Sequence, residues 1–350
     1  MKSQRVILAV LLAAVLASIV VGCSRGKEGA TPTSGELPAI TLKLALEGPE
    51  KHSPTIFARE FANRVAQATD GRVKIELYPG GVLSKGFSLW TDTARGLVDM
   101  AVGYDYVLNI VDPGLFSGGL VYLFDSREQG AEFARHPEGG QKLLGMLEKH
   151  GGKGIGIFPG TLSLLTVANR EIKSWHDLKG VRSQGLGGDV GATYGKITKT
   201  QMVFIPAIDV YTPLAQGLID AAHSSPYAAW NTRLYEVAKY GYLWNFSVNF
   251  VLIWMDLDAW NRLPATYQEI MLQTAEDMVP WALQLVEDMD KEALDNLSKV
   301  MTLHRESEED RAEMERLWTA ALREKGYYDA YDPEILAVAR EIAGKPDYGR

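Results

Sequence analysis

Cysteine is all but missing: a single thiol, Cys23, stands in 350 residues, so no intrachain disulfide can staple this fold and no cysteine-rich metal cluster can form. Histidine is sparse as well, and the six, at positions 52, 136, 150, 176, 223 and 304, fall too far apart to offer the close pairs a metal-hydrolase helix uses. No HExxH, GxSxG or Walker sequence occurs. Positive charge is in deficit, 36 Lys and Arg against 44 Asp and Glu for a formal charge of −8, which argues against nucleic acid or an anionic bilayer as the partner. No catalytic constellation, resident cofactor or metal set is therefore expected. His223 beside Ser224 and Ser225 is the one hint of a surface hydrolase, and neighbours on a strand point to opposite faces.

What the chain does have begins at its first residues. Lys2 and Arg5 precede an apolar run from Val6 to Val21 broken only by Ser18, shorter than the roughly 20 residues a spanning helix needs. It ends in Val20-Val21-Gly22-Cys23, which resembles a bacterial lipobox. The expectation is a signal peptide over 1–22, diacylglycerol attachment at Cys23, and a periplasmic or extracytoplasmic, membrane-anchored protein. Removing Lys2 and Arg5 takes the formal charge from −8 to −10. Residues 23–38 are a Gly, Ser, Thr and Pro mixture too polar to fold and serve as a flexible tether. The remaining roughly 310 residues exceed one ordinary core, so two lobes are expected.

Ile40, Leu42, Leu44 and Leu46 alternate with polar or small residues and predict a strand. Ser53 then offers an N-cap and Pro54 a first helical residue, with Phe57, Phe61 and Val65 on one face and Asp70-Gly71 as the stop. A strand at Val73, Ile75 and Leu77, a helix from Phe87 to Arg95 and a strand from Leu97 to Val102 complete a β-α-β-α-β series. That order predicts an α/β fold with parallel strands. Gly185-Leu186-Gly187-Gly188-Asp189-Val190-Gly191 lacks the spacing of a dinucleotide loop and reads as a glycine-rich turn into a helix.

A short repeat supports two similar lobes. Residues 94–101 and 215–222 share A-x-G-L-[VI]-D-x-A, each a helix end running into a strand. Ligands of open α/β sheets lie beyond the carboxyl ends of strands. The residues after each copy are accordingly site candidates: Tyr104, Asp105 and Tyr106 after the first, His223, Ser224 and Tyr227 after the second.

Several longer stretches then fall into a recognisable order. Gly71 to Pro79, Asn169 to Arg182, Asp209 to Asp220 and Arg233 to Tyr240 resemble successive motifs of TRAP-transporter solute-binding proteins of the DctP type, a likeness covering about Ile40 to Pro280. The resemblance implies a two-lobed, periplasmic-binding-protein-like fold that closes on a small organic solute and delivers it to TRAP membrane subunits without catalysis. A long helix from Ala265 to about Val300, bent at Pro280, would span the lobes. The implied division is 39–160 with 250–288 for lobe I and 161–249 with 289–350 for lobe II, as a monomer or a helix-swapped dimer.

Departures from the family pattern fall where the ligand should sit. Gln184 stands where the family usually has an arginine that clamps a substrate carboxylate, Arg182 lies two residues too early to replace it, and a second frequent arginine falls near Ser163. His223 and Ser224 replace a glutamate and an asparagine. A neutral, aromatic or weakly anionic ligand is expected, held by Gln184, His223, Ser224, Ser163, His52 and the faces of Tyr104, Tyr106, Tyr227 and Trp244, with Asp105 able to select a cation instead. Other readings are a binding protein of another transporter class, a sensory or hydrophobic-ligand-binding lipoprotein of the same fold, or a surface hydrolase.

Overall fold

The computed structural model describes residues 37–108, 111–115, 121–186, 188–206 and 209–349. The leader and Cys23 lie outside them. All elements belong to one compact unit, Ile40–Arg350, built on two separate sheets.

The first sheet is assembled from β1 (Ile40–Leu46), β2 (Val73–Tyr78), β3 (Met100–Tyr104), β4 (Gly152–Pro159) and β10 (Phe250–Asp256), in the order β2-β1-β3-β10-β4. β1 runs parallel to β2 and β3, and β10 is antiparallel to β3 and β4. The second sheet contains β5 (Ser163–Ala168), β6 (Arg182–Gln184), β7 (Gln201–Val203), β8 (Ala221–Ser224), β9 (Tyr240–Asn245) and β11 (Thr302–Arg305), in the order β11-β9-β5-β8-β6-β7. β6 is parallel to β7 and β8, while β5 is antiparallel to β8 and β9. The two strand orders correspond, β2 to β7, β1 to β6, β3 to β8, β10 to β5 and β4 to β9, with β11 added at the edge of the second sheet. The chain crosses between sheets from β4 to β5 and again from β9 to β10.

The repeated octapeptide explains part of this likeness. In each copy a glycine takes the left-handed backbone, Gly96 at φ 70° and Gly217 at φ 68°, where a side chain would be strained. The aspartate that follows anchors the neighbouring parallel strand: Asp99 Oδ2 accepts the N–H of Lys43 at 2.7 Å, and Asp220 Oδ2 accepts that of Arg182 at 3.0 Å. The repeat is a device for holding adjacent strands in register.

Helices cover the sheets. α1 (Ser53–Ala68) buries Phe57, Phe61 and Val65 as their spacing requires. Its entry differs from expectation by one residue: His52 occupies the cap position and Ser53 is already helical, its hydroxyl turned to Tyr104 Oη at 3.3 Å instead of capping the helix. α2 (Ser88–Ala94) precedes β3, which begins at Met100, later than the sequence suggests, because the turn at Gly96 takes up the intervening residues. α3 (Arg127–Arg135) is capped by the Ser126 side chain. α4 (Gly188–Thr198) follows the glycine-rich turn, and the short α5 (Tyr211–Ala215) and α6 (Pro226–Asn231) flank β8.

The longest helix, α7 (Ala265–Leu297), has 33 residues and is continuous through Pro280. It packs on α1, α3 and β4 of the first half and on α6 of the second. α8 (Glu308–Glu324) puts Met314, Trp318 and Leu322 into the second core, whereas α9 (Pro333–Ala343) puts Ile335, Leu336 and Ala339 into the first. The stretch 289–350, expected wholly with lobe II, is thus shared between the two cores. The cause is the amphipathic face of α9, which needs a partner and finds it on α3.

Candidate functional site

The carboxyl ends of β1 and β3 carry a line of rings. Tyr104 closes β3, and its hydroxyl lies 3.3 Å from Ser53 Oγ and 3.4 Å from His52 Nε2 at the start of α1. The His52 ring meets Tyr104 edge-on at 5.6 Å, Tyr106 stacks on Tyr104 at 6.0 Å with 22° between planes, and Phe87 meets Tyr106 edge-on at 6.3 Å. Tyr106 and Phe87 are 43% and 47% exposed, so the outer end of this ladder is open to solvent.

Burial sets the protonation here. The Tyr104 phenol is pushed up to about 12, mainly by loss of water, with the nearby Asp290 and Asp105 carboxylates adding to it. His52 falls below its ordinary value because burial disfavours the cation. Its Nδ1 has no hydrogen-bond partner and is packed on Gly48, where an added Cβ would come within 2.1 Å. Asp105 is 4% exposed, and burial raises its carboxyl to about 7 against the pull of the Phe250 and Tyr106 backbone N–H groups. Its Oδ2 is buried without a partner. A buried acceptor left open in this way is the arrangement a donor on a bound molecule would complete.

The second sheet places its candidates differently. His223 sits between two hydroxyls, Thr166 Oγ1 3.0 Å from Nδ1 and Ser183 Oγ 3.1 Å from Nε2, with the Tyr194 ring edge-on at 4.8 Å. Burial takes this imidazole from 6.5 down to about 3, so it stays neutral. Trp244, fully buried, donates its Nε1–H to Thr166 Oγ1 at 2.9 Å. Gln184 donates from Nε2 to Ile205 O at 3.1 Å and accepts the His223 backbone N–H at 3.3 Å. The polar atoms of Gln184, His223 and Trp244 are thus engaged by the protein itself, one network across β5, β6, β8 and β9. Ser224 and Ser163 are half-buried at the ends of β8 and β5.

Tyr227, on α6, joins the halves. Its hydroxyl donates to Lys51 O at 2.8 Å, beside His52, and its backbone N–H donates to Asp290 Oδ1 at 3.3 Å. Asp290 on α7 is a residue the sequence reading missed. It is 6% exposed, pairs with the Arg127 guanidinium of α3, and takes the Thr161 hydroxyl at 3.3 Å. A signal for it existed: Val286, Asp290, Ala293 and Leu297 form one buried stripe of α7, and a carboxylate on such a stripe needs a partner. Arg127 is paired with Asp290 and Arg182 with Asp220. Among the described residues no group of three or more His, Cys, Asp or Glu side chains is placed to hold a metal ion.

Comparison with known proteins agrees with this architecture. Residues 44–326 match the family model for bacterial extracellular solute-binding protein, family 7, DctP. Among curated relatives, a monocarboxylate 2-oxoacid-binding periplasmic protein of Nostoc sp. is 27% identical over 75% of this chain and 72% of its own. The 2,3-diketo-L-gulonate-binding periplasmic protein of Escherichia coli is 21% identical over 76% of this chain and 81% of its own. A TRAP periplasmic solute-binding protein from Ochrobactrum anthropi, its C-terminus bound in its ligand-binding pocket, superposes with a TM-score of 0.80 at 21% identity, over 88% of this chain and 96% of that one. Another from Desulfovibrio salexigens, with bound orotic acid, gives 0.78 at 18% identity, over 87% and 98%. The chain belongs to the DctP family: it is an extracytoplasmic solute-binding protein that takes a small organic molecule between its lobes, and it is not an enzyme.

Proposed function

We propose that this family 7 solute-binding protein captures a neutral, aromatic or only weakly anionic solute and hands it to TRAP membrane subunits while tethered to the membrane through a lipid on Cys23. The observation that carries the choice of ligand is the pairing state of Gln184: at the position where the family resemblance expects an anion-clamping arginine, an amide is locked between Ile205 O and the His223 N–H. A carboxylate brought into the cleft would lose water without gaining a charge-assisted bidentate partner, a deficit of about 2–5 kcal/mol. Relatives bind a monocarboxylate 2-oxoacid, a diketo-gulonate or orotic acid, and this chain departs from them in that respect.

In this reading the solute lies against Tyr104, Tyr106 and Tyr227, with Ser224, Ser163 and His52 at the margins and Asp105 Oδ2 accepting a donor. Gln184, His223 and Trp244 form the rigid floor. The lobes are 39–160 with 250–288 and 161–249 with 289–350, α9 lending its apolar face to the first. Native mass spectrometry of the exported protein tests the ligand: an uncharged or aromatic co-purifying molecule supports the reading, and a simple aliphatic carboxylate contradicts it. Partition of the wild type into detergent, lost in Cys23→Ser, tests the anchor. Retention of Cys23→Ser in the detergent phase would sink that part of the reading.

A further inference from the structure

One carboxylate collects donors from every part that a hinge motion would move. Asp290 lies on α7, which packs on both halves. Arg127 comes from α3 of the first half and also donates its Nε–H to Gly160 O at 3.3 Å, in the crossing segment between β4 and β5. Thr161, next along that segment, donates to Asp290 Oδ2 at 3.3 Å. Tyr227 N–H, from α6 of the second half, takes the other oxygen. The Tyr227 side chain continues outward and binds Lys51 O at 2.8 Å, in the first half again.

We infer that Asp290 is a positioning residue for solute capture: its carboxylate, held by Arg127, fixes α6 and Tyr227 in the closed arrangement. The geometry requires all three donors at once. Swinging the second half away from the first moves Tyr227 relative to Arg127, so at least one of these contacts must break before the cleft opens. A solute is then retained not by its own contacts alone but also by a latch built of protein groups, and the closed population depends on differences in those contacts between the two states. The ligand's chemistry does not enter this inference, which needs only the two-lobed solute-binding fold.

The test uses interlobe distance. The chain from Ser24 onward contains no cysteine, so spin labels can be placed at Gln67→Cys and Gln216→Cys, both exposed and one on each half, without background. Double electron–electron resonance without added solute should show a short-distance population that falls in Asp290→Asn, the open-to-closed ratio rising on the order of tenfold. Should Asp290→Asn fail to fold, Thr161→Val and Tyr227→Phe each remove one hydroxyl donor and should shift the distribution the same way by less. A purely structural role predicts a lower melting temperature with an unchanged distance distribution in all three variants, and that result would overturn the inference. Measured on protein freed of co-purifying solute by unfolding and refolding, the outcome is separate from whether the cleft prefers a neutral ligand.

Discussion

Asp220 holds Arg182 from two directions: Oδ2 accepts the Arg182 backbone N–H and Nε–H at 3.0 Å each, and Oδ1 accepts from Nη2 at 2.6 Å. Arg182 donates as well to Gly217 O at 2.9 Å. The guanidinium is half-exposed, so solvent screens the ion pair and it contributes little. The bond to the main chain matters more, because it sets β6 beside β8, where the two strands share only the Ser183–Ala221 pair.

The first prediction follows from that division of roles. Asp220→Ala should lower unfolding free energy by about 1–3 kcal/mol, the cost of an unmet backbone donor, while Arg182→Met, which keeps that main-chain bond, should cost clearly less. Urea denaturation of the two variants measures both. Equal losses would mean that the ion pair, and not the strand anchor, carries the effect.

A second prediction concerns pH. His223 is depressed from 6.5 to about 3 in the fold, so its contribution is complete above 6.5 and is lost as the pH falls toward 3, by up to about 1.4 kcal/mol per pH unit. Asp105 is raised from 3.8 to about 7, so its contribution is complete below 3.8 and is lost as the pH rises through 7. The two oppose each other between pH 4 and 6.5. Relative to wild type, the slope of stability against pH in this window should become more positive in Asp105→Asn and more negative in His223→Gln. Denaturation midpoints at pH 4.5 and 6.5 read this directly, and slopes that move the same way in both variants would be inconsistent with it.

A third prediction addresses the aromatic ladder. Tyr106 is 43% exposed and its ring meets Tyr104 and Phe87, so Tyr106→Ala should cost about 0.5–1.5 kcal/mol of stability. Solute affinity should fall by roughly tenfold, the worth of one stacked ring. Tryptophan-fluorescence titration with the co-purifying solute gives the affinity. An unchanged affinity would remove Tyr106 from the site.

Much of the fold was legible because it rests on local pattern. Ile40 to Leu46 alternates and forms β1, Phe57, Phe61 and Val65 face inward on α1, and the octapeptide repeat marks equivalent positions in both sheets. The antiparallel insertion of β10 between β3 and β4 was not legible, since a fully buried strand such as Phe250–Asp256 carries no alternation to reveal its neighbours.

The site was legible in its residues and less so in their directions. Gln184 and His223 were singled out at strand ends, yet the His223 ring is held by Thr166 and Ser183 on the flanking strands, and the Gln184 amide by Ile205 O and the His223 backbone N–H. Only tertiary pairing decides that. Ser53 likewise satisfies the local rule for a cap, and the Tyr104 hydroxyl, 51 residues away, takes it instead.

Isothermal titration calorimetry of the chain from Ser24 onward, with matched pairs of uncharged aromatic compounds and simple carboxylates, bears most directly on the account. The expected result is saturable heat with an uncharged or aromatic compound and none with acetate, pyruvate or succinate, because no free guanidinium stands at position 184 to receive them. Tight binding of a simple carboxylate, with an affinity that persists in Gln184→Ala, would contradict it.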